Sequence, residues 1–375
     1  MIPSISFPSR RFGFTSLALA LALVSGARAD TITLVDGKTL ENVTIVNESL
    51  KDITYKQDGK SKTVASDTVA SVDFKKKPKL VDQADSSAHD GDIGGAMSTL
   101  ETYVGGLIDG NAKEPLAWAP PYAMQRLIEL AAATGDAEEI VKAADRLIAN
   151  AKDSRYLPSA YLNKATALYD MKQTKEALTA IADLRKLIDG QGLGQRWKLE
   201  ADLAEALSDT SLGATRRRAR VVEIAAVAGK DYPLVANRAK VAEGESYTEG
   251  DSKDFVKAMA IFRQIIADPS ADAQTLAGAY IGLGDCAISR ALDQQKANQD
   301  ANATFKDAAE LYMRVVVLYP EQTAYRAKAM YFAGRAFEFL GDDTSKSRAR
   351  LLYHSVIREF KDSRWATDAK KQLGG

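Results

Sequence analysis

The sequence predicts a mainly α-helical protein in which a small N-terminal β module precedes an array of helical hairpins. Residues 30–74 alternate apolar and polar positions and are rich in β-branched residues, a pattern typical of strands. From about residue 81 to the end, alanine, leucine, lysine and glutamate dominate, and apolar residues recur every three or four positions. Glycine, proline and Asp-containing breaks divide this part into helix-length segments, which favours hairpins over one long coiled coil.

The first 29 residues have the three-part layout of a secretory signal peptide. They contain, in order, a basic pair, an apolar run and two small residues: Arg10 and Arg11, Leu17–Val24, and Ala27 and Ala29. The apolar run is too short for a lasting membrane span, and we expect cleavage between Ala29 and Asp30. We therefore expect a soluble product in the periplasm or outside the cell. General secretion is favoured, and the twin-arginine route is the alternative.

Residues 30–74 are expected to form four or five short strands. Two Asp-Gly pairs, Asp36-Gly37 and Asp58-Gly59, lie between apolar runs and suit tight hairpin turns. A module of about 45 residues is near the lower size limit for an independent core, so it should pack against its neighbour. Its strand pattern resembles that of small SH3-like or Sm-like modules.

A basic segment, residues 75–80, follows the β module and reads KKKPKL. We interpret it as a solvated linker at a domain boundary, with contact to nucleic acid or to a wall polymer as the alternative. Residues 81–375 then form the helical part.

The charge balance and the cysteine content exclude some classes of protein. Lys and Arg number 50, as do Asp and Glu, so no global charge favours nucleic acid or an anionic membrane. Cys286 is the single cysteine, which excludes an internal disulfide. It lies on an apolar helix stripe, and we expect it to be a buried small hydrophobe.

One pattern of side chains repeats along the helical part. Phe305, Ala308, Tyr312 and Val315 fall on one face of a helix. The same spacing recurs, wholly or in part, in three other segments: Phe255, Ala258, Phe262 and Ile265; Ala349, Tyr353 and Val356; and Ala177, Ile181 and Leu184. The preceding helices carry Gly284 or Gly334, where a small residue lets paired helices approach closely. These residues are therefore predicted to pack in the core.

At these residues the sequence resembles the tetratricopeptide repeat (TPR) family, and the match is best over residues 270–360. The C-terminal part is also similar to exported repeat proteins of outer-membrane assembly and of the Tol-Pal system. The resemblance implies a TPR-like α-solenoid of six or seven helix pairs, whose concave groove takes a protein or peptide partner. A short final helix with Trp365 should cover the end of the stack.

Signals for an enzyme are weak. The two histidines, His89 and His354, lie far apart, and the sequence contains no zinc-protease or nucleophile-elbow motif. The glycine-rich stretch at residues 189–195 follows a predicted helix, so we interpret it as a turn between helices and not as a phosphate loop. We expect a non-enzymatic protein without a cofactor or metal.

Arg216, Arg217 and Arg220 share one flank of a predicted helix and could bind carboxylates or phosphates of a partner. A solvated basic face, partly neutralised by nearby acids, is the favoured interpretation, and partner binding is the alternative. The sequence thus predicts an exported interaction scaffold of the bacterial envelope. The alternative function is an envelope polymer-binding or structural protein that uses the β module and Lys75–Lys79.

Overall fold

A computed structural model describes residues 29–248, 253–269, 271–361 and 363–374. The predicted signal peptide, apart from Ala29, lies outside these residues. Gly250-Asp251, one of the glycine- and Asp-containing breaks that the sequence places between helices, also lies outside them. The described residues form a β sheet followed by a helical repeat region, which confirms the predicted fold class.

The five strands are β1 (Asp30–Leu34), β2 (Thr39–Glu48), β3 (Asp52–Gln57), β4 (Lys60–Ala65) and β5 (Val69–Asp73). They form one antiparallel sheet in the order β4-β3-β2-β1-β5. Both Asp-Gly pairs lie in the expected hairpin turns. Asp58 and Gly59 have φ values of 53° and 72°, the left-handed conformation that a two-residue turn requires.

The helices of the described residues number fifteen. The first eight are α1 (Lys79–His89), α2 (Ile93–Ile108), α3 (Ala119–Thr134), α4 (Ala137–Asn150), α5 (Leu157–Asp170), α6 (Thr174–Gln191), α7 (Gln195–Ser208) and α8 (Ala214–Ala228). The others are α9 (Pro233–Ser246), α10 (Phe255–Ala267), α11 (Ala273–Lys296), α12 (Asn302–Leu318), α13 (Thr323–Leu340), α14 (Asp343–Glu359) and α15 (Arg364–Gln372).

Consecutive helices pack as seven pairs, α1/α2 to α13/α14, in agreement with the six or seven predicted. Several helices begin at a residue whose side chain accepts a hydrogen bond from a backbone N–H of the first turn. The N–H groups of the first turn have no carbonyl partner within the helix, so this side chain takes the place of one. These capping residues are Asp92, Asp136, Asp254, Asp272, Asp342 and Ser363. The last helix, α15, packs Trp365 against Tyr331 and Phe332 and so covers the end of the array, as predicted.

A glycine of the first helix faces an aromatic ring of the second in three pairs. The facing residues are Gly244 and Phe262, Gly284 and Tyr312, and Gly334 and Tyr353. A Cβ atom added to these glycines would lie 2.5, 2.7 and 2.6 Å from the facing ring, so any side chain there would clash. The predicted close approach is confirmed, and the rings that fill it are fully buried. Phe255, at the first turn of α10, is only half-buried.

The β module and the first helices share one hydrophobic core. The Phe74 ring stacks on Trp118 with 3.5 Å between ring centroids. The basic segment also packs against the first helix. Lys77 Nζ lies 2.7 Å from Asp85 Oδ2 of α1, and α1 itself begins within the segment, at Lys79. The expectation of a solvated linker is therefore wrong for Lys77. The division into two domains stays a sequence prediction.

The helical array is arranged in an inner and an outer layer. Odd-numbered helices contact the odd-numbered helices of neighbouring pairs, and the even-numbered ones pack mainly on their own chain neighbours. In addition, α13 packs against α3, ten helices earlier in the chain. A Cβ atom added to Gly135, which ends α3, would lie 2.7 Å from Ser363 Cβ. The array therefore curves until its last pair meets its second pair.

Candidate functional site

The inner helices surround a pocket of about 230 Å³, lined by residues of α5, α7, α9, α11 and α13. Each of these helices belongs to a different pair, so the pocket exists only because the pairs stack and curve. One wall of the pocket is apolar. It consists of Leu162, Leu203, Ala204, Leu207, Val241 and Ala242.

A buried ion pair also lines the pocket. Glu200 of α7 is 4% exposed and is paired with Arg238 of the adjacent inner helix α9. Arg238 Nε also donates to the Leu234 carbonyl oxygen at 3.4 Å. Burying one charge alone would cost several kcal/mol, so the two side chains hold each other in place.

Tyr325 of α13 reaches the same pocket from the far end of the array. Burial, together with the carboxylates of Glu245 and Asp272, raises the pKa of its hydroxyl to about 12, and Arg238 opposes this shift. The hydroxyl therefore stays protonated at neutral pH and can donate a hydrogen bond. Asp272 is held in place by the backbone N–H and the hydroxyl of Thr275, at 2.8 and 3.1 Å.

A pocket lined by both apolar side chains and charged or hydroxyl groups suits a partner side chain that is apolar along its length and polar at its tip. Across the described ranges, no group of three or more His, Cys, Asp or Glu residues is placed to hold a metal ion. His89 and His354 are both exposed and lie on α1 and α14, outside the pocket.

Two other sequence interpretations are confirmed. The glycine-rich stretch at residues 189–195 includes the end of α6 and the turn to α7, with Gly192 in the left-handed conformation at φ 64°. Cys286 is completely buried on α11. Its burial, and to a lesser extent Asp285, raises the pKa of the thiol to about 12, so the reactive thiolate is scarce at neutral pH.

The three predicted site arginines lie on α8, an outer helix, and do not line the pocket. Arg216 and Arg220 are exposed, whereas Arg217 is half-buried and engaged with other groups. Arg218 turns inward and bonds to Ser246 Oγ and its carbonyl oxygen at 3.0 and 2.8 Å. The structure thus separates the predicted arginines from the concave side, and their role in binding a partner stays a prediction.

The pocket residues themselves were not predicted from the sequence. Glu200, Arg238 and Tyr325 lie in different helix pairs and form no local motif. A partial signal was the small-residue pattern that marks the first helices of three pairs, at Gly244 of α9, Gly284 of α11 and Gly334 of α13.

None of the helices in the described part of the chain combines the length and the apolar character needed to cross a membrane. The stacked helix pairs define the class of this protein as a TPR-like α-solenoid with an N-terminal β sheet. No protein-family model matches the chain, and no curated protein matches it. Among solved structures, it is similar to a tetratricopeptide repeat protein from Parabacteroides merdae. The two are 13% identical with a TM-score of 0.42, over 79% of this chain and 98% of the other.

Proposed function

We propose that this protein is an exported, non-enzymatic scaffold of the bacterial cell envelope that binds a protein partner on its concave side. The observation that carries the proposal is the pocket of about 230 Å³, to which five successive helix pairs contribute through their inner helices. A surface assembled from five pairs recognises one partner through many small contacts, which is the way repeat arrays bind proteins. The export part of the proposal rests on the signal-peptide pattern of residues 1–29.

The pocket is small, about 230 Å³. A side chain or a short turn of the partner fits this space better than a long extended peptide does. The apolar wall around Leu203 and Leu207 supports an aliphatic or aromatic group, and Arg238 and Tyr325 support a polar tip.

Site-specific photo-cross-linking in intact bacteria tests the concave site. A photoreactive residue replaces Leu207, which lines the pocket and is 37% exposed. The matched control replaces Val317 of the outer helix α12, which is 66% exposed. We expect one discrete cross-linked product from position 207 that is absent from position 317. Equal products from both positions, or none from position 207, would count against the concave site.

A pocket-filling variant gives a second test. Ala204→Trp should abolish the cross-link from position 207 while circular dichroism keeps its helical signal, because the indole occupies the pocket. Cell fractionation tests export separately. The full chain should be found in the periplasm or the medium, and a variant without residues 2–29 should stay in the cytoplasm.

A further inference from the structure

The β module contacts three successive inner helices at the same end. Trp118, Arg155 and Gly194 lie at or just before the starts of α3, α5 and α7, and each contacts a different part of the module. Consecutive helices are joined by short turns and alternate in direction, so the starts of the inner helices lie on one rim of the array. The contact with α3 is the stack of the Phe74 ring on Trp118.

The contact with the start of α5 is polar and buried. Glu48 is paired with Arg155, and both side chains are almost completely buried. Beside this pair, the Leu50 backbone N–H donates to Asp153 Oδ1 at 3.3 Å. Leu50 itself is 4% exposed, so the turn between β2 and β3 is enclosed at this place.

The contact with the start of α7 is close but less completely packed. Arg196 Nη1 donates to the Asp67 carbonyl oxygen at 2.5 Å. A Cβ atom added to Gly194 would overlap Asp67 Oδ2, so the module fits against α7 only because this residue is glycine. A gap of about 160 Å³ remains beside the contact, and its lining includes Leu193 and Trp197.

These three contacts bear on the shape of the whole array. The curvature of stacked helix pairs is the sum of small rotations between neighbouring pairs. One body that is bound to α3, α5 and α7 fixes the rotations among their three pairs, and the β module shares one hydrophobic core with these helices. Where α3 meets α13, by contrast, no buried hydrophobic cluster of the described residues spans the two helices. Their contact therefore depends on where the stacking places α13.

We propose that the β module is a brace that sets the curvature of the helical array and so preorganises the concave pocket. By fixing the first turns of the curve, the module determines where α13 arrives and hence the position of Tyr325 in the pocket. The role in partner capture rests on the proposed concave site. The role in curvature does not, because curvature can be measured without a partner.

The test loosens the brace at α7 in the full mature chain. The loosened variant combines Gly194→Glu with Arg196→Met. It places a carboxylate against Asp67, so bulk and like charge push the module away, and it removes the hydrogen bond to the Asp67 carbonyl oxygen. The matched control is Gly213→Glu with Arg216→Met at the start of α8. Gly213 has φ −64° and ψ 158°, close to −64° and 167° at Gly194, but an added Cβ there meets no atom of the described residues within 4 Å.

The readout is a distance across the closing contact of the array. Spin labels are attached to Glu138→Cys on α4 and Thr367→Cys on α15, two exposed positions on either side of this contact. Cys286 is completely buried and should not take a label. Double electron–electron resonance should show a longer and broader distance distribution in the loosened variant and no change in the control. Arg196→Met alone should broaden the distribution to a smaller extent.

The pocket is read out separately by the photo-cross-link from position 207. Its yield should fall in the loosened variant and stay the same in the control, while circular dichroism keeps the helical signal of both. A longer distance without any cross-link in the natural protein would support the brace and count against the concave site. An unchanged distance in the loosened variant and in Arg196→Met would overturn the brace. Equal lengthening in the control would overturn it too, because the change would then come from the start of any helix.

Discussion

Arg155 Nε lies 2.7 Å from Glu48 Oε1, and the two side chains are only 7% and 2% exposed. Glu48 ends β2, and Arg155 lies in the turn between α4 and α5. The pair therefore fixes the β module onto the helical array. Arg155 is held in turn by Tyr156, to whose hydroxyl it donates at 2.8 Å.

Breaking this pair from one side should destabilise the protein strongly. Arg155→Met leaves the Glu48 carboxylate buried without its partner, which should cost about 3–5 kcal/mol of unfolding free energy at neutral pH. Glu48→Leu combined with Arg155→Met should cost much less, because both charges are removed together. Urea unfolding of the variants measures these values. Asp36→Asn, which breaks an exposed pair with Lys38, is the control and should leave the unfolding free energy unchanged.

The same pair should make stability depend on pH. Burial, in opposition to Arg155, raises the pKa of the Glu48 carboxyl above its ordinary value of 4.5, and Asp30 adds to the shift. The folded state therefore holds this proton more tightly than the unfolded state. The stabilisation that comes from this bound proton is complete below the pKa of Glu48 in the unfolded state. It is lost as the pH rises through the pKa of Glu48 in the folded state. The unfolding free energy of the natural protein should therefore fall relative to that of Glu48→Gln over this rise, because Gln does not titrate. A difference that is constant with pH would contradict the raised pKa.

Tyr312 should be one of the most stabilising side chains of the array. It is completely buried against Gly284, and its hydroxyl donates to Asp285 Oδ1 at 2.6 Å. Tyr312→Ala should cost about 3–5 kcal/mol in urea unfolding, because a large cavity remains. Tyr312→Phe keeps the ring and should cost about 1–3 kcal/mol, the cost of the lost hydrogen bond. A loss below about 1 kcal/mol for the alanine variant would contradict the packing described.

Cys286 should be unreactive in the folded protein. The thiol is fully buried, and burial raises its pKa to about 12. Iodoacetamide at mildly alkaline pH should label it only after the protein is unfolded in urea, as measured by mass spectrometry. Rapid labelling of the native protein would show that this helix pair opens readily.

The contact between Gly135 and Ser363 should control the curvature of the array. Gly135 has φ 75°, and a side chain there would push against Ser363. Gly135→Leu should separate the two ends of the array and increase the radius of gyration in small-angle X-ray scattering. Gly341→Leu is the matched control. It has a similar φ of 78° but no atom of the described residues within 4 Å of an added Cβ, so it should cause the same backbone strain without expansion.

Local patterns in the sequence were sufficient for the elements and their pairing. The Asp-Gly turns, the spacing around Tyr312 and the helix breaks that fall in the described residues each depend on a few neighbouring residues, and the structure confirms them. The glycines facing Tyr312 and Tyr353 were predictable because a close helix approach requires a small residue at that place.

The sequence by itself determined that this protein has a small β sheet followed by helix pairs, and which face of α6, α10, α12 and α14 is buried. The tertiary structure alone decided how the pairs curve, that α13 meets α3, and that Glu200, Arg238 and Tyr325 share a pocket. The physical reason is that periodicity acts within one helix, whereas curvature is the sum of small rotations between many pairs. The ion pair of Glu48 with Arg155 joins residues more than a hundred positions apart, and no local pattern encodes it.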